Sequence, residues 1–255
     1  MVDNIIKIAL EAGEIVRNGF GKNFNIEFKT SESNLVTEID KASEKKIIEY
    51  IRKEFPSHGI LAEESGEHKN TSDYLWVIDP LDGTTNFAHG LPIFSVSIGV
   101  QKNGVTIAGV VYDVMQNIAY SAEAGSGAFA NGIRINVNSN SNLARALLVT
   151  GFPYNVAENP ENAFGKFTAM TKASRGVRRL GSAAIDLCYV AKGVFEGFWE
   201  VYLHPWDVCA GKLIVEEAGG LVTGFNGEII DIYSNKILAS NKVIHNDLIN
   251  ILNKN

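Results

Sequence analysis

The sequence predicts a mixed, layered α+β architecture in two lobes. Three observations carry that reading. An amphipathic helical pattern opens the chain, a series of apolar strands separated by Gly and Asn turns fills its middle, and strands alternate with helices after a polar Asn/Ser-rich stretch at 133–144. At 255 residues the chain is long enough to bury roughly 70–75% of its extended surface without a disulfide or a structural metal.

Ile5, Ile6, Ala9, Leu10, Ala12, Gly13 and Val16 recur at helical spacing and predict a helix over 3–18. The polar stretch 29–36 has no periodicity and reads as a loop. A second helix follows over 40–55, with Ile47, Ile48, Ile51 and Phe55 on its apolar side and Pro56 ending it. Strands are expected at 59–62 and 74–78, the second stopping at Asp79-Pro80, with an exposed loop over 66–73 between them. Residues 94–101, 106–112 and 117–121 read as successive antiparallel strands, and Gly125, Gly127 and Asn131-Gly132 mark a further hairpin. The pattern then changes. Strands at 145–150, 175–179, 194–199, 221–223 and 236–240 alternate with helices at 160–172, 182–192, 205–218 and 243–253. The 133–144 stretch divides an N-terminal lobe, 1–144, from a C-terminal lobe, 145–255, and the active site is expected between them.

Lys plus Arg number 23 against 29 Asp plus Glu, a net charge of −6, which argues against a nucleic-acid-binding face. No apolar run reaches the ~18 residues of a membrane span. Nor does the start carry the apolar core and cleavage site of a secretory leader. Cys188 and Cys209 lie in apolar helical stretches and read as two buried thiols of a cytoplasmic protein.

The densest chemical signal is Asp79-Pro80-Leu81-Asp82-Gly83-Thr84-Thr85-Asn86. Two carboxylates three residues apart at a strand end repel each other unless a cation lies between them. Mg²⁺, a hard oxygen-seeking ion held by a few carboxylates and a substrate phosphate, is the natural partner. Thr84 offers a hydroxyl for a bound water, and the amides from Gly83 to Thr85 suit a phosphate. A turn with a helix cap would account for one Asp and Thr84, but less well for both acids with Pro80 and Gly83. Glu63-Glu64 again places two acids at the end of an apolar strand. Asp40 and Asp207 each precede or open a helix, where an acid is comfortable without any metal. The five His residues show no zinc spacing, and His58 and His68 read as surface loop residues.

Together these segments closely resemble the inositol monophosphatase family of Mg²⁺-dependent, lithium-sensitive sugar-phosphate phosphatases. The resemblance spans Asn34-Leu35-Val36-Thr37-Glu38-Ile39-Asp40 to Gly219-Gly220. It is strongest in Trp76 to Phe87 and in Trp206-Asp207-Val208-Cys209-Ala210-Gly211 with Glu216 to Gly220. It implies a layered αβαβα fold. It also implies Glu63, Asp79, Asp82 and Asp207 as metal-binding carboxylates, with the Leu81 carbonyl as a backbone ligand. Thr84 then corresponds to the hydroxyl that helps activate water, Glu64 to an outer acid, Asp40 to an acid near a third metal's water shell, and Lys29 to a mobile loop. Gly181-Ser182-Ala183 and Glu200 correspond to the segments that hold sugar hydroxyls, beside a substrate site that includes Asp82 to Thr85 and Asp207.

The expected chemistry uses two to three Mg²⁺ ions, for which Mn²⁺ substitutes. Asp79 bridges two of them about 3.5–4 Å apart, with Glu63 on one side and Asp82 and Asp207 on the other. Water attacks the phosphorus of a small phosphorylated polyol. Myo-inositol 1-phosphate is the favoured substrate, because a carboxylate such as Glu200 accepts from two vicinal hydroxyls. Fructose 1,6-bisphosphate is the alternative; Arg178-Arg179 and Lys172 to Arg175 read first as a solvated helix end with salt bridges, and otherwise as a basic patch for a second phosphate. A homodimer is expected, and the alternative to an enzyme is a regulatory scaffold, with or without phosphatase activity, that binds a protein partner of the transcription machinery.

Overall fold

The computed structural model describes residues 1–23, 25–28 and 35–254. Helix α1 (Val2–Gly19) leads into a small hairpin of β1 (Ile26–Phe28) and β2 (Leu35–Thr37), and α2 (Glu38–Glu54) follows directly. The Thr37 hydroxyl accepts from the amides of Ile39 and Asp40 and starts α2. Asp40 reaches back to the Thr37 amide at 2.9 Å, which completes a capping box.

The large sheet contains β3 (Gly59–Ala62), β4 (Gly66–His68), β5 (Tyr74–Asp82), β6 (Ser95–Lys102), β7 (Val105–Asp113), β8 (Ile118–Glu123), β9 (Ala128–Ala130) and β10 (Ile133–Ile135), in the order β10-β9-β8-β7-β6-β5-β3-β4. Its one parallel pair among the described residues is β3 with β5, which delivers Glu63 and Asp79 to the same end of the sheet. The short helix α3 (Thr84–Ala88) connects β5 to β6.

The second sheet contains β11 (Leu147–Thr150), β12 (Gly176–Arg178), β13 (Gly197–Val201), β14 (Leu221–Thr223) and β15 (Lys236–Ser240), ordered β12-β11-β13-β15-β14. Its helices are α4 (Ala163–Ala173), α5 (Ala183–Ala191), α6 (Pro205–Glu217) and α7 (His245–Leu252).

Side-chain alternation along the strands sorts these elements into layers. On β5, Trp76 and Ile78 pack with Ile5, Ile8, Ile47 and Ile51 of α1 and α2, whereas Val77 faces the opposite core. That central core joins Val77 and Val111 of the large sheet to Leu187, Ala210 and Ile214 of α5 and α6, and these to Val149 and Phe198 of the second sheet. Trp199, next to Phe198, points outward to Met170 of α4 and Leu248 of α7. The result is the five-layer αβαβα order in two lobes. Helix α5 is apolar almost all round, as a middle layer requires. Helix α6 lies directly on bare strand backbone: a Cβ at Gly109 would meet the Cα of Ala210 at 2.8 Å, and one at Gly99 would strike Cys209 Sγ. Both cysteines are free and buried in this layer. Among the described residues no helix is long and apolar enough to cross a membrane.

Several expectations shift. β5 does not stop at Asp79 but runs to Asp82, with a register shift between the two acids where Pro80 lacks a ladder donor. The expected loop at 66–73 contains β4, an edge strand held by backbone pairing to β3 and therefore free of any apolar pattern. The Asn/Ser-rich stretch begins with β10, so the large sheet extends to Ile135. Residues 160–162 form a 3₁₀ turn before α4. His58 is not a free surface residue: its Nδ1 accepts from Trp76 Nε1 at 3.0 Å and its ring stacks on Tyr74 at 4.5 Å. Lys29 and Asn34 lie outside the described residues.

Candidate active site

The acids converge where strand ends of the large sheet meet the first turn of α6. Carboxylate oxygens of Asp79, Asp82 and Asp207 all lie within 4.8 Å of one another. Glu63 extends the β3–β5 pairing by donating its amide to Ile78 O at 3.1 Å, and its carboxyl group is close enough to that of Asp79 to reinforce burial in raising the Asp79 pKa. The register shift in β5 turns Asp82 toward the same point as Asp79, while the Leu81 amide donates to Asp79 Oδ1 at 3.0 Å. An Asx turn and a place in the acid cluster therefore coexist at Asp79. Asp207 combines roles in the same way, since Oδ2 accepts the His204 amide at 2.6 Å and caps α6.

Thr84 begins α3, after Gly83 at φ +97°, a left-handed conformation that glycine adopts without strain. Its Oγ1 lies 3.0 Å from both Asp40 Oδ1 and Leu81 O. Asp40 is fully buried beneath it, so the helix-capping acid also fixes the Thr84 hydroxyl. Glu44 Oε2 accepts the Glu64 amide at 2.9 Å, and Glu64 is not among the residues that line the cavity.

A cavity with about 810 Å³ of empty space, part of it open to solvent, runs from Glu63, Asp82 and Asp207 to Gly181–Ala183 and Glu200. Ser182 caps α5 and donates its hydroxyl to Asp82 Oδ2, which also accepts the Ala184 amide at 2.9 Å. Asn86 ties α3 to the Gly181 turn through Leu180 O at 2.8 Å. Glu200 projects from β13 over Gly151, where any Cβ would collide with its carboxylate.

Burial and mutual repulsion set the electrostatics. Burial, then the charges of Glu63, Asp82 and Asp207, hold Asp79 well above the usual carboxylate range. Burial raises Asp207 likewise, with Asp82 and Glu63 adding to it. Asp82 rises to about 6, mainly from burial, although the bonds from Ser182 and Ala184 oppose the rise. Glu200 is pushed up to about 8 by burial, against the pull of Arg179. A buried group of hard oxygen donors that repel one another fits a hard divalent cation. A phosphate dianion would be repelled here without one.

The structure brings Glu63, Asp82, Gly83, Thr84, Thr85, Gly181, Ser182, Ala183, Glu200 and Asp207 to one cavity, with Asp79 and Leu81 behind them. Several lining residues carry no sequence expectation. Asp186 had a local signal, a lone acid in the apolar run AAIDLCYVA. Gly151, Phe152, Tyr154 and Tyr202 had none. Of the basic patch, Arg179 reaches the cavity.

A five-layer sandwich with a carboxylate cluster at its strand ends, opening on a polar cavity, defines the sugar-phosphatase class of phosphomonoester hydrolases. The sequence profile of the inositol monophosphatase family matches residues 1–255, and the chain belongs to that family. It is 44% identical over 253 residues to the Nus factor SuhB of Pasteurella multocida, covering 98% of this chain and 94% of that one. A fructose-1,6-bisphosphatase/inositol-1-monophosphatase of Thermotoga maritima is 40% identical over 254 residues, covering 99% and 96%. The solved inositol monophosphatase of Anabaena superposes with a TM-score of 0.89 at 44% identity, covering 98% of this chain and 94% of that one.

Proposed function

We propose that the protein hydrolyses myo-inositol 1-phosphate, or a closely similar polyol monophosphate, to the free polyol and phosphate with Mg²⁺ as cofactor. The convergence of Asp79, Asp82 and Asp207 beside Glu63 and Thr84 carries this reading. Asp79, Asp82, Asp207, Glu63 and the Leu81 carbonyl would hold the metal. Bound Mg²⁺ supplies charge neutralisation for the phosphate and makes a coordinated water more acidic.

The chain's own groups do the rest. When Thr84 donates its proton to Asp40 or to Leu81 O, its oxygen is left to accept from a water, and the Glu63 carboxylate accepts the second proton. The water is then aimed by its remaining lone pair. A new O–P bond forms as the bond from phosphorus to the polyol oxygen breaks, the departing alkoxide takes a proton from solvent water, and the hydroxide so formed is neutralised by the proton that Glu63 took, which restores the carboxylate. The amides of Gly83 to Thr85 face the phosphate end, and Ser182, Ala183 and Glu200 hold the hydroxyls at the other.

Purified protein should release phosphate from myo-inositol 1-phosphate with Mg²⁺ and none with EDTA. Inactivity on every small phosphomonoester, with Mg²⁺ and with Mn²⁺, would end the reading. Arg179 in the cavity and the name of the Thermotoga relative support fructose 1,6-bisphosphate as a second substrate, and ranking both by kcat/KM decides between them. The Pasteurella relative's name supports an added role with a protein of the transcription machinery. A pull-down from native extract that recovers no transcription factor would count against it.

A further inference from the structure

Tyr202 follows β13 directly and sits at φ +59°, in the left-handed region. Glycine adopts that conformation freely, whereas a bulky side chain is strained there. The turn itself has a purpose. The Tyr202 amide donates to Asn235 O at 2.7 Å, and the backbone then leaves the sheet to start α6 and bring Asp207 into place. That explains the positive φ but not the tyrosine. Packing does not explain it either, because 43% of the residue remains exposed.

What the side chain does have is position. Tyr202 lines the cavity two residues beyond Glu200. Tyr154 lines the same cavity and is 56% exposed. Its segment is anchored next door by Phe152, whose ring packs on Phe164 and Phe167 of α4 at 5.8 and 5.6 Å. Two large, partly exposed tyrosines, one of them strained, thus line a cavity whose wall also holds five acids and the rings of Phe152 and Trp206. Backbone strain that persists at a cavity mouth points to contact with a ligand. A tyrosine there offers a flat apolar face with a polar tip, which suits a molecule carrying hydroxyls around a C–H face.

We propose that Tyr202, with Tyr154, is a specificity-determining residue that packs its ring on the C–H face of a cyclic leaving group, so that ring-shaped polyol monophosphates are preferred to acyclic ones. This rests on the phosphatase reading above.

The test is the ratio of kcat/KM for myo-inositol 1-phosphate to that for glycerol 2-phosphate, with Mg²⁺, in the wild type, Tyr202→Phe and Tyr202→Gly. Loss of one apolar contact at a binding site is worth about tenfold or more in discrimination. The wild type should favour the cyclic substrate, Phe should keep the ratio, and Gly should lower it about tenfold. The melting temperature should rise in Gly as the strain is released, a gain that a purely structural tyrosine would not couple to lost selectivity. If Gly fails to fold, Tyr202→Asn, which also tolerates positive φ, takes its place. A Gly or Asn variant with the wild-type ratio overturns the proposal, as does a Phe variant that loses it. A wild type inactive on both substrates overturns the phosphatase reading itself, and this inference with it.

Discussion

Asp82 Oδ2 accepts the amide of Ala184 at 2.9 Å across 102 residues of chain, tying the last residue of β5 to the first turn of α5. The Ser182 hydroxyl donates to the same oxygen. One carboxylate therefore links the two lobes through Oδ2 while taking part in the acid cluster.

Asp82→Asn separates these roles. The amide oxygen can keep the bonds from Ser182 and Ala184 while its NH₂ replaces the oxygen facing the cluster. Loss of a metal ligand should lower kcat at saturating Mg²⁺ by two to three decades, about 3–4 kcal/mol of electrostatic stabilisation. The melting temperature in EDTA should be unchanged or higher, because one repulsion with Asp79 is gone. A variant that keeps more than a tenth of wild-type kcat removes Asp82 from the metal site.

Metal should also be visible in stability. At a hundredfold excess over Kd, a cation that binds only the folded state adds about 2.7 kcal/mol. Thermal melts with and without Mg²⁺ should show that rise in the wild type and most of it lost in Asp82→Asn. Equal shifts in both proteins would show that the ion binds elsewhere.

Gly151→Ala should disturb substrate hydroxyls rather than the metal. The new methyl occupies the place of the Glu200 carboxylate, so either Glu200 or the β11 end must move. Overpacking of this kind costs about 1–3 kcal/mol in stability. KM for the polyol phosphate should rise at least tenfold, while Mg²⁺ raises the melting temperature as much as in the wild type. An unchanged KM would separate Glu200 from substrate binding.

His245 should make folding pH-dependent. It is 2% exposed, with Ser240 Oγ and Thr223 Oγ1 each 2.8 Å from a ring nitrogen, and burial lowers its pKa from 6.5 to about 4. Between those values the unfolded chain binds a proton that the folded chain refuses. Stability conferred by the neutral ring is therefore complete above pH 6.5 and declines as pH falls toward 4, by about 3 kcal/mol. Urea melts at pH 7.5 and 4.5 should show a smaller loss in His245→Gln than in the wild type. Equal losses would assign acid sensitivity to other groups.

The strands and helices were legible where they carry a periodic apolar face, as with Ile47 and Ile51 on α2, whereas their five-layer order was implied by the family resemblance and α5, apolar almost all round, shows no single face. The sequence also displayed the acid segments, since Asp79 and Asp82 are close in sequence. Features held together by backbone alone left no mark: β4 pairs through Gly66–His68 without an apolar residue. Contacts between distant segments were equally silent. Nothing near Gly151 announces that Glu200 will lie against it, and nothing near Tyr202 shows that the chain must turn there with positive φ. Asp40 stood out as an acid at the start of a helix, while its reach back to the Thr37 amide and its bond to Thr84, 44 residues on, needed the fold.

The shared middle layer has a consequence for cooperativity. Helices α5 and α6 give side chains to one continuous core with both sheets, so the sheets cannot part without exposing that core, even though α1 and α2 or α4 and α7 still cover their outer faces. The two lobes should not melt as separate units, and calorimetry should record a single transition. Cys188 and Cys209, sealed within that layer, then become clocks: a thiol reagent can reach them only when the sandwich opens, and their labelling rates should converge on the rate of global unfolding.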